Sequence, residues 1–169
     1  MRRRVPFPFS VSVVPICFAP AEELKALFNE FVQANEYCHP LWRMHEDEGF
    51  KKDEIDFHAS CTGERVFLLF INDTAAGVFR ITPRPKNVAN GMTGFALRPS
   101  IRGNGYGNVL VQYMSAMCRL MLNTDEVTAV VNDYNMVSRI TLESSGWKRT
   151  GNEYRWNDGS KAIEYHLVR

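Results

Sequence analysis

The residues best suited to chemistry lie at Arg102-Gly103-Asn104-Gly105-Tyr106-Gly107, where three glycines alternate with larger residues just before a helical pattern. The preceding Phe95-Ala96-Leu97 reads as strand, so the order is strand, glycine-rich turn, helix. A helix start leaves backbone N–H groups without internal partners and carries partial positive charge. Glycine lets such a backbone approach an anion closely and adopt dihedrals barred to other residues. The chemistry is therefore anion binding, with pyrophosphate as the natural guest. Arg102 adds a charged fork suited to phosphate oxygens.

The spacing narrows the ligand. A Walker loop requires Lys-Ser or Lys-Thr after its glycines, and neither follows here. A dinucleotide fingerprint requires G-x-G-x-x-G directly after the strand, whereas here the glycines read G-x-G-x-G and Arg98 to Arg102 intervene. The pattern that fits is R-x-x-G-x-G. A tight strand–helix turn with no ligand is the alternative for these six residues alone. A second segment follows, Asn132-Asp133-Tyr134-Asn135-Met136-Val137-Ser138, and then Leu142-Glu143-Ser144-Ser145-Gly146-Trp147. It matches the form N-x-x-S followed by G-[FW]. With both segments the chain resembles the GNAT superfamily of N-acetyltransferases over residues 66–168. Within it, the resemblance is to the branch that acetylates ribosomal-protein N-termini and small amines.

The resemblance implies a mixed α/β (α+β) fold: one domain over residues 1–169, with a central, mostly antiparallel sheet, two splayed parallel strands, and flanking helices. It implies acetyl-CoA as cosubstrate, lying between strands Thr93–Leu97 and Val127–Val131. The pantetheine arm would meet the backbone of Phe95, Ala96 and Leu97. The N–H groups of Arg102, Gly103, Asn104, Gly105, Tyr106 and Gly107 would hold the pyrophosphate, and Asn135 would bond the pantetheine. Transfer would be direct attack by a neutral amine on the thioester, in a ternary complex and without metal. Ser138 is the family-matched residue near the sulfur, for orientation or proton relay; a helix serine bonding the preceding turn is its alternative. Tyr134 is a second candidate for the proton. The chain departs from many relatives at Leu142, where they carry a tyrosine acid, and in lacking a glutamate in Thr93–Leu97. Asp133 is a candidate for relay through water. These departures keep open a CoA-binding protein without turnover, as a sensor or partner protein.

In relatives, the segment after the first helix and the last hairpin shape the acceptor pocket. That segment here carries Glu46, Asp47, Glu48, Asp53, Glu54 and Asp56 among aromatic residues, which suits a cationic amine; a solvated acidic helix face is the alternative. Glu46 and Glu48 are the candidate acceptor-binding residues. The acceptor would be a small-molecule amine or a protein amino group, and the protein a monomer or homodimer.

These groups need elements to hold them. Alternation in residues 9–14 predicts a strand, and Leu24, Leu27, Phe28, Phe31 and Val32 predict a helix over Ala21–Glu36. A loop and a short helix around 42–56 follow. Residues 66–71 and Ala75–Thr82 read as paired strands about a turn at Asn72-Asp73. After Thr93–Leu97 and the glycine loop comes a helix over Val109–Leu122, with Leu110, Tyr113, Met114, Met117 and Met121 on one face. Val127–Val131 is a strand, Asn135–Ser145 a helix stopped by Gly146, and Asn157-Asp158-Gly159 the turn between two final strands.

The totals agree with this picture. At 169 residues and 45% apolar content, one domain with a real core is expected. A net charge of +1 is not that of a dedicated nucleic-acid binder. Cys17, Cys38, Cys61 and Cys118 form no C-x-x-C pair, and the four histidines are scattered, so no metal site is expected and reduced thiols in the cytoplasm are. Met1-Arg2-Arg3-Arg4 resembles the start of a signal peptide, but Pro6, Pro8 and Pro15 interrupt the apolar run after it. No apolar run reaches the ~20 residues of a membrane span, and no membrane partner is expected.

Overall fold

The computed structural model describes residues 9–34, 65–82, 91–122, 127–156 and 158–168. Its strands are β1 (Val11–Pro15), β2 (Arg65–Ile71), β3 (Thr74–Thr82), β4 (Gly91–Leu97), β5 (Val127–Asn132), β6 (Trp147–Arg155) and β7 (Lys161–Leu167). Its helices are α1 (Ala21–Gln33), α2 (Tyr106–Met121) and α3 (Met136–Ser144). The strand order is β1-β2-β3-β4-β5-β7-β6. β4 and β5 are parallel, while β1–β2, β5–β7 and β6–β7 are antiparallel. The parallel ladder joins Gly91–Thr93 to Val127–Ala129 and is shorter than either strand. The expected mixed fold with a mostly antiparallel sheet is the fold observed. No helix among the described residues is long and apolar enough to cross a membrane.

By packing, the chain divides into two units: Met1–Arg80 with Phe95–Tyr106, and Ile81–Gly94 with Gly107–Arg169. In the first, α1 starts at Pro20, whose fixed φ suits a helix start, and Glu22 and Glu23 sit at its positive end. Its inner face, Leu24, Leu27, Phe28 and Phe31, packs with Leu68 and Phe70 of β2 and with Ala96 of β4. Val66 to Ile71 are all buried, as expected of a continuous apolar strand covered on both faces. Asn72 and Asp73 take positive φ (48° and 62°), the geometry of a tight hairpin turn, and both residue types tolerate it.

In the second unit α2 buries Leu110, Val111, Met114, Ser115 and Cys118. This is not the expected face. Tyr113 is 38% exposed, and Met117 and Met121 lie at the margin. The expected stripe mixed two adjacent faces; the buried one follows i, i+4 spacing through Leu110, Met114 and Cys118. Trp147 of β6 donates from Nε1 to Ser115 Oγ at 3.0 Å, which satisfies the buried indole and accounts for a serine inside α2. β6 carries a bulge between Arg149 and Glu153, where Gly151 takes φ 90°.

Candidate functional site

The glycine loop belongs to the first unit up to Tyr106. Gly103 and Gly105 take φ 78° and 86°, which explains glycine at both positions. Asn104 Nδ2 donates to the carbonyls of Ile101 (3.2 Å) and Arg102 (3.5 Å), holding loop carbonyls to its own side. Among the described residues, the N–H groups of Gly103, Asn104, Gly105 and Tyr106 donate to no protein acceptor. They stand at the start of α2, sixteen residues long, whose dipole adds to their attraction for an anion. The Tyr106 ring packs edge-on to Phe9, with centroids 6.0 Å apart.

Two expected roles differ. The Arg102 fork closes on the strand before it: Nε and Nη2 donate to Leu97 O at 3.0 and 2.7 Å, and its N–H donates to Pro99 O. Arg102 thus ties the loop to the end of β4. α2 also begins three residues earlier than periodicity suggests, placing Gly107 within it. A Cβ on Gly107 would meet Thr141 Cγ2 of α3 at 3.4 Å, so this glycine also serves the close approach of two helices.

The run before the loop is anchored from α1. Glu30 accepts from Arg98 Nε and from Ser100 N (3.1 Å), and Arg98 Nη1 donates to Ala75 O (3.1 Å). Burial works to raise the Glu30 pKa, but the bonds from Arg98 and Ser100 outweigh it and hold the carboxyl below its usual range. Nothing in the spacing of Glu30 distinguished it from an ordinary surface glutamate. Of the expected pantetheine contacts, Ala96 is buried while Phe95 and Leu97 are half-buried on β4.

In the second unit, Asn135 caps α3 by accepting from Ser138 N at 3.1 Å. Ser138 Oγ has no hydrogen-bond partner among the described residues, in contrast to Thr141, whose Oγ1 donates to Val137 O. Tyr134 stands in the exposed turn before α3, its hydroxyl accepting from Asn132 Nδ2 (2.7 Å). Asp133 is paired with Arg139 at 2.9 Å, so its carboxylate fastens α3 to the turn. Leu142 is fully buried.

Arg139 also donates to Asp133 O at 2.7 Å, and Tyr165 OH donates to Glu143 Oε1 at 2.9 Å. Arg149 donates to the same Glu143 oxygen from Nε and Nη2 (3.0 and 2.9 Å). The bonds from Arg149 and then Tyr165 hold the Glu143 carboxyl below its ordinary value of 4.5. A depressed folded-state pKa means that the ionised form favours folding. The contribution is complete above about 4.5 and is lost as pH falls through the lower folded value. Between pH 6 and 3, melting temperature is therefore expected to fall more steeply in wild type than in Glu143→Gln. Parallel melting curves against pH would show that the network does not bear on stability.

β7 carries a carboxylate inside the sheet. Glu164 is 9% exposed. It accepts from Thr150 Oγ1 (2.9 Å), Asn152 Nδ2 (2.8 Å) and Tyr154 OH (2.8 Å). The signal was present in the sequence, as a glutamate between the apolar residues Ile163 and Tyr165. Glu46 and Glu48 lie outside the described residues.

The profile of the Acetyltransferase (GNAT) family matches residues 24–147. No curated protein matches the chain. Among solved structures, the chain is similar to an acetyltransferase of the GNAT family from Streptococcus pneumoniae, at 16% identity and a TM-score of 0.69, over 95% of this chain and 99% of that one. It is similar to the acetyltransferase from Salmonella typhimurium that modifies the N-terminal serine of the 50S ribosomal subunit protein L7/L12, at 13% identity and a TM-score of 0.66, over 98% and 97%. It is also similar to spermidine N-acetyltransferase from Vibrio cholerae, solved with CoA and spermine, at 12% identity and a TM-score of 0.67, over 94% and 95%. At such identities the likeness is one of fold alone.

Proposed function

The chain belongs to the Acetyltransferase (GNAT) family and is an acyl-CoA-dependent N-acetyltransferase; from that premise we propose that residues 1–169 act as one domain that transfers the acetyl group of acetyl-CoA to a primary amine, of a small molecule or a protein, by direct attack in a ternary complex. The observation that carries the reading is the row of N–H groups from Gly103 to Tyr106, without protein acceptors among the described residues, at the positive end of a sixteen-residue helix. Such a row suits a pyrophosphate, and Gly103 and Gly105 keep side chains away from it.

When bound, acetyl-CoA supplies a thioester carbonyl for attack and a thiolate as leaving group. The N–H groups of Gly103, Asn104, Gly105, Tyr106 and Gly107 would hold its pyrophosphate, with Arg102 fastening the loop beneath them. The Oδ1 of Asn135 is engaged as a helix cap, so Nδ2 is the group it offers to a pantetheine carbonyl. The hydroxyl of Ser138 is available to orient the sulfur end or pass a proton to it; Tyr134 is the second candidate for that proton. Leu142 cannot donate a proton, so positioning of the reactants bears more of the rate than in relatives with a tyrosine there. We place the activity in the cytoplasm, on the reading of the cysteines as reduced thiols.

The test is calorimetric titration with acetyl-CoA, CoA and ATP, followed by acetyl-CoA consumption with an amine panel. Binding of acetyl-CoA and CoA but not ATP, with turnover of at least one amine, supports the proposal. Binding without turnover by any amine favours a CoA-binding protein. No binding of acetyl-CoA to folded protein refutes the donor site.

A further inference from the structure

Glycines that open a loop to an anion also leave its backbone more freedom than other residues would. Among the described residues, the N–H groups of residues 103–106 donate to no protein acceptor, so these donors do not hold the loop in shape. Its rigidity has to come from the residues before it, and within the first unit it can be followed bond by bond. Asn104 Nδ2 donates to the carbonyls of Ile101 and Arg102. Ile101 N donates to Arg98 O at 3.2 Å and Arg102 N to Pro99 O at 3.3 Å, which closes the short helical turn Pro99–Ile101. That turn meets one side chain of α1 at two points: Arg98 Nε and Ser100 N donate to separate oxygens of Glu30.

Arg98 is itself held in place. Its Nη1 donates to Ala75 O at 3.1 Å and its N–H to Ala76 O at 2.8 Å. The Ala75 N–H donates to Glu23 Oε2 at 3.1 Å. Glu23 and Glu30 lie on α1 at a spacing of two helical turns, and so share a face. α1 thus holds the start of β3 with one carboxylate and the approach to the glycine loop with the other. The Arg98 and Glu30 side chains are 14% and 24% exposed, more sheltered than a surface ion pair. The arrangement needs a carboxylate. Its two oxygens take two donors, whereas a glutamine has one oxygen and turns an NH2 group toward the second donor.

We propose that Glu30 is a positioning residue for the donor site: by holding Arg98 and Ser100 it fixes the backbone of the glycine loop before acetyl-CoA arrives, and so sets the affinity for the pyrophosphate. An anion site fixed in advance binds more tightly, because its ordering happens on folding and not on binding. The proposal rests on the reading of the loop as the pyrophosphate site. The sign of the effect identifies its cause. Removing a negative charge near an anion site by itself tightens the anion, whereas loosening the loop weakens it. Loss of affinity on neutralising Glu30 is therefore an effect of positioning.

Wild type, Glu30→Gln, Arg98→Lys and Trp147→Phe are titrated calorimetrically with acetyl-CoA, and amide hydrogen exchange is followed in the free proteins. Trp147→Phe is the control for lost stability: it removes a buried hydrogen bond in the second unit, to Ser115. Glu30→Gln weakens acetyl-CoA at least tenfold and speeds exchange at residues 100–106 more than in the rest of the first unit. Arg98→Lys keeps the charge but loses the fork, and weakens acetyl-CoA severalfold. Trp147→Phe binds as wild type does. Wild-type or tighter binding by Glu30→Gln overturns the proposal. So does equal weakening by Trp147→Phe, which would make the effect one of general stability. If Glu30→Gln does not fold, Arg98→Lys decides alone. Absence of binding by wild type overturns the donor site and this proposal with it, whereas an unchanged Glu30→Gln beside a wild type that binds overturns this proposal only.

Discussion

Replacement of Gly105 by glutamate is expected to abolish stabilisation by acetyl-CoA, while Gly107→Ala retains it. At one hundred times its dissociation constant, a ligand of the folded state adds about 2.7 kcal/mol, or roughly 5–11 °C in melting temperature for a chain of this size. Gly105 sits at φ 86°, so any other residue strains the backbone by about 1–2 kcal/mol. Glutamate adds a negative charge among the N–H groups proposed to hold the pyrophosphate. Gly105→Ala separates the two effects: it lowers the melting temperature of the free protein by several degrees but leaves a reduced acetyl-CoA shift. Glutamate should weaken acetyl-CoA at least a hundredfold, so that its shift vanishes. At Gly107 a methyl group meets only Thr141, at ordinary contact distance, and the N–H is unchanged. Thermal melts of the three variants with and without acetyl-CoA decide the matter. A full shift in Gly105→Glu would mean that the loop does not hold the ligand.

The largest effect on the fold itself is expected at Trp147. The side chain is 2% exposed, and its N–H is satisfied by Ser115, which in turn donates to Val111 O at 2.7 Å. Trp147→Ala removes the largest fully buried side chain among the described residues and leaves a cavity, for about 3–5 kcal/mol. Melting temperature should drop by roughly 6–20 °C. Trp147→Phe keeps most of the ring and loses one buried hydrogen bond, for about 1–2 kcal/mol. Denaturant titration of both variants measures the difference. An alanine variant within about 1 kcal/mol of wild type would mean that this part of the core collapses freely around the gap.

Much of this architecture was legible because it rests on local rules. Apolar residues at helical spacing located α1, and the inner residues Leu24, Leu27, Phe28 and Phe31 are those buried. The apolar run after Arg65 and the Asn72-Asp73 turn located the first hairpin. Asn135 was read as the first residue of a helix and is its cap, a difference of one position. Boundaries were less legible where local signals were weak. α2 begins at Tyr106 because glycines can enter a helix once packing rewards it, although Val109 is the first residue with an apolar helical pattern. Its inner face was misjudged because Tyr113, Met117 and Met121 are as apolar as the residues truly inside, and only the neighbouring elements decide which stripe is covered.

The same division holds at the functional residues. The sequence by itself determined that a strand runs into a glycine-rich helix start, the arrangement from which the anion site is proposed. The N-x-x-S and Gly-Trp segments after it tied the chain to acetyl transfer only through their resemblance to the family. The helix start itself is a property of a short run of chain, set by dihedral freedom, capping and periodicity. Only tertiary structure decided that Arg102 clasps Leu97, that Glu30 anchors the run into the loop, and that Asp133 is bound to Arg139. Likewise only the pairing of β6 with β7 brought Thr150, Asn152 and Tyr154 around Glu164. A side chain's charge is written in the sequence; its partners depend on residues far along the chain, which meet only once the sheet has set their register.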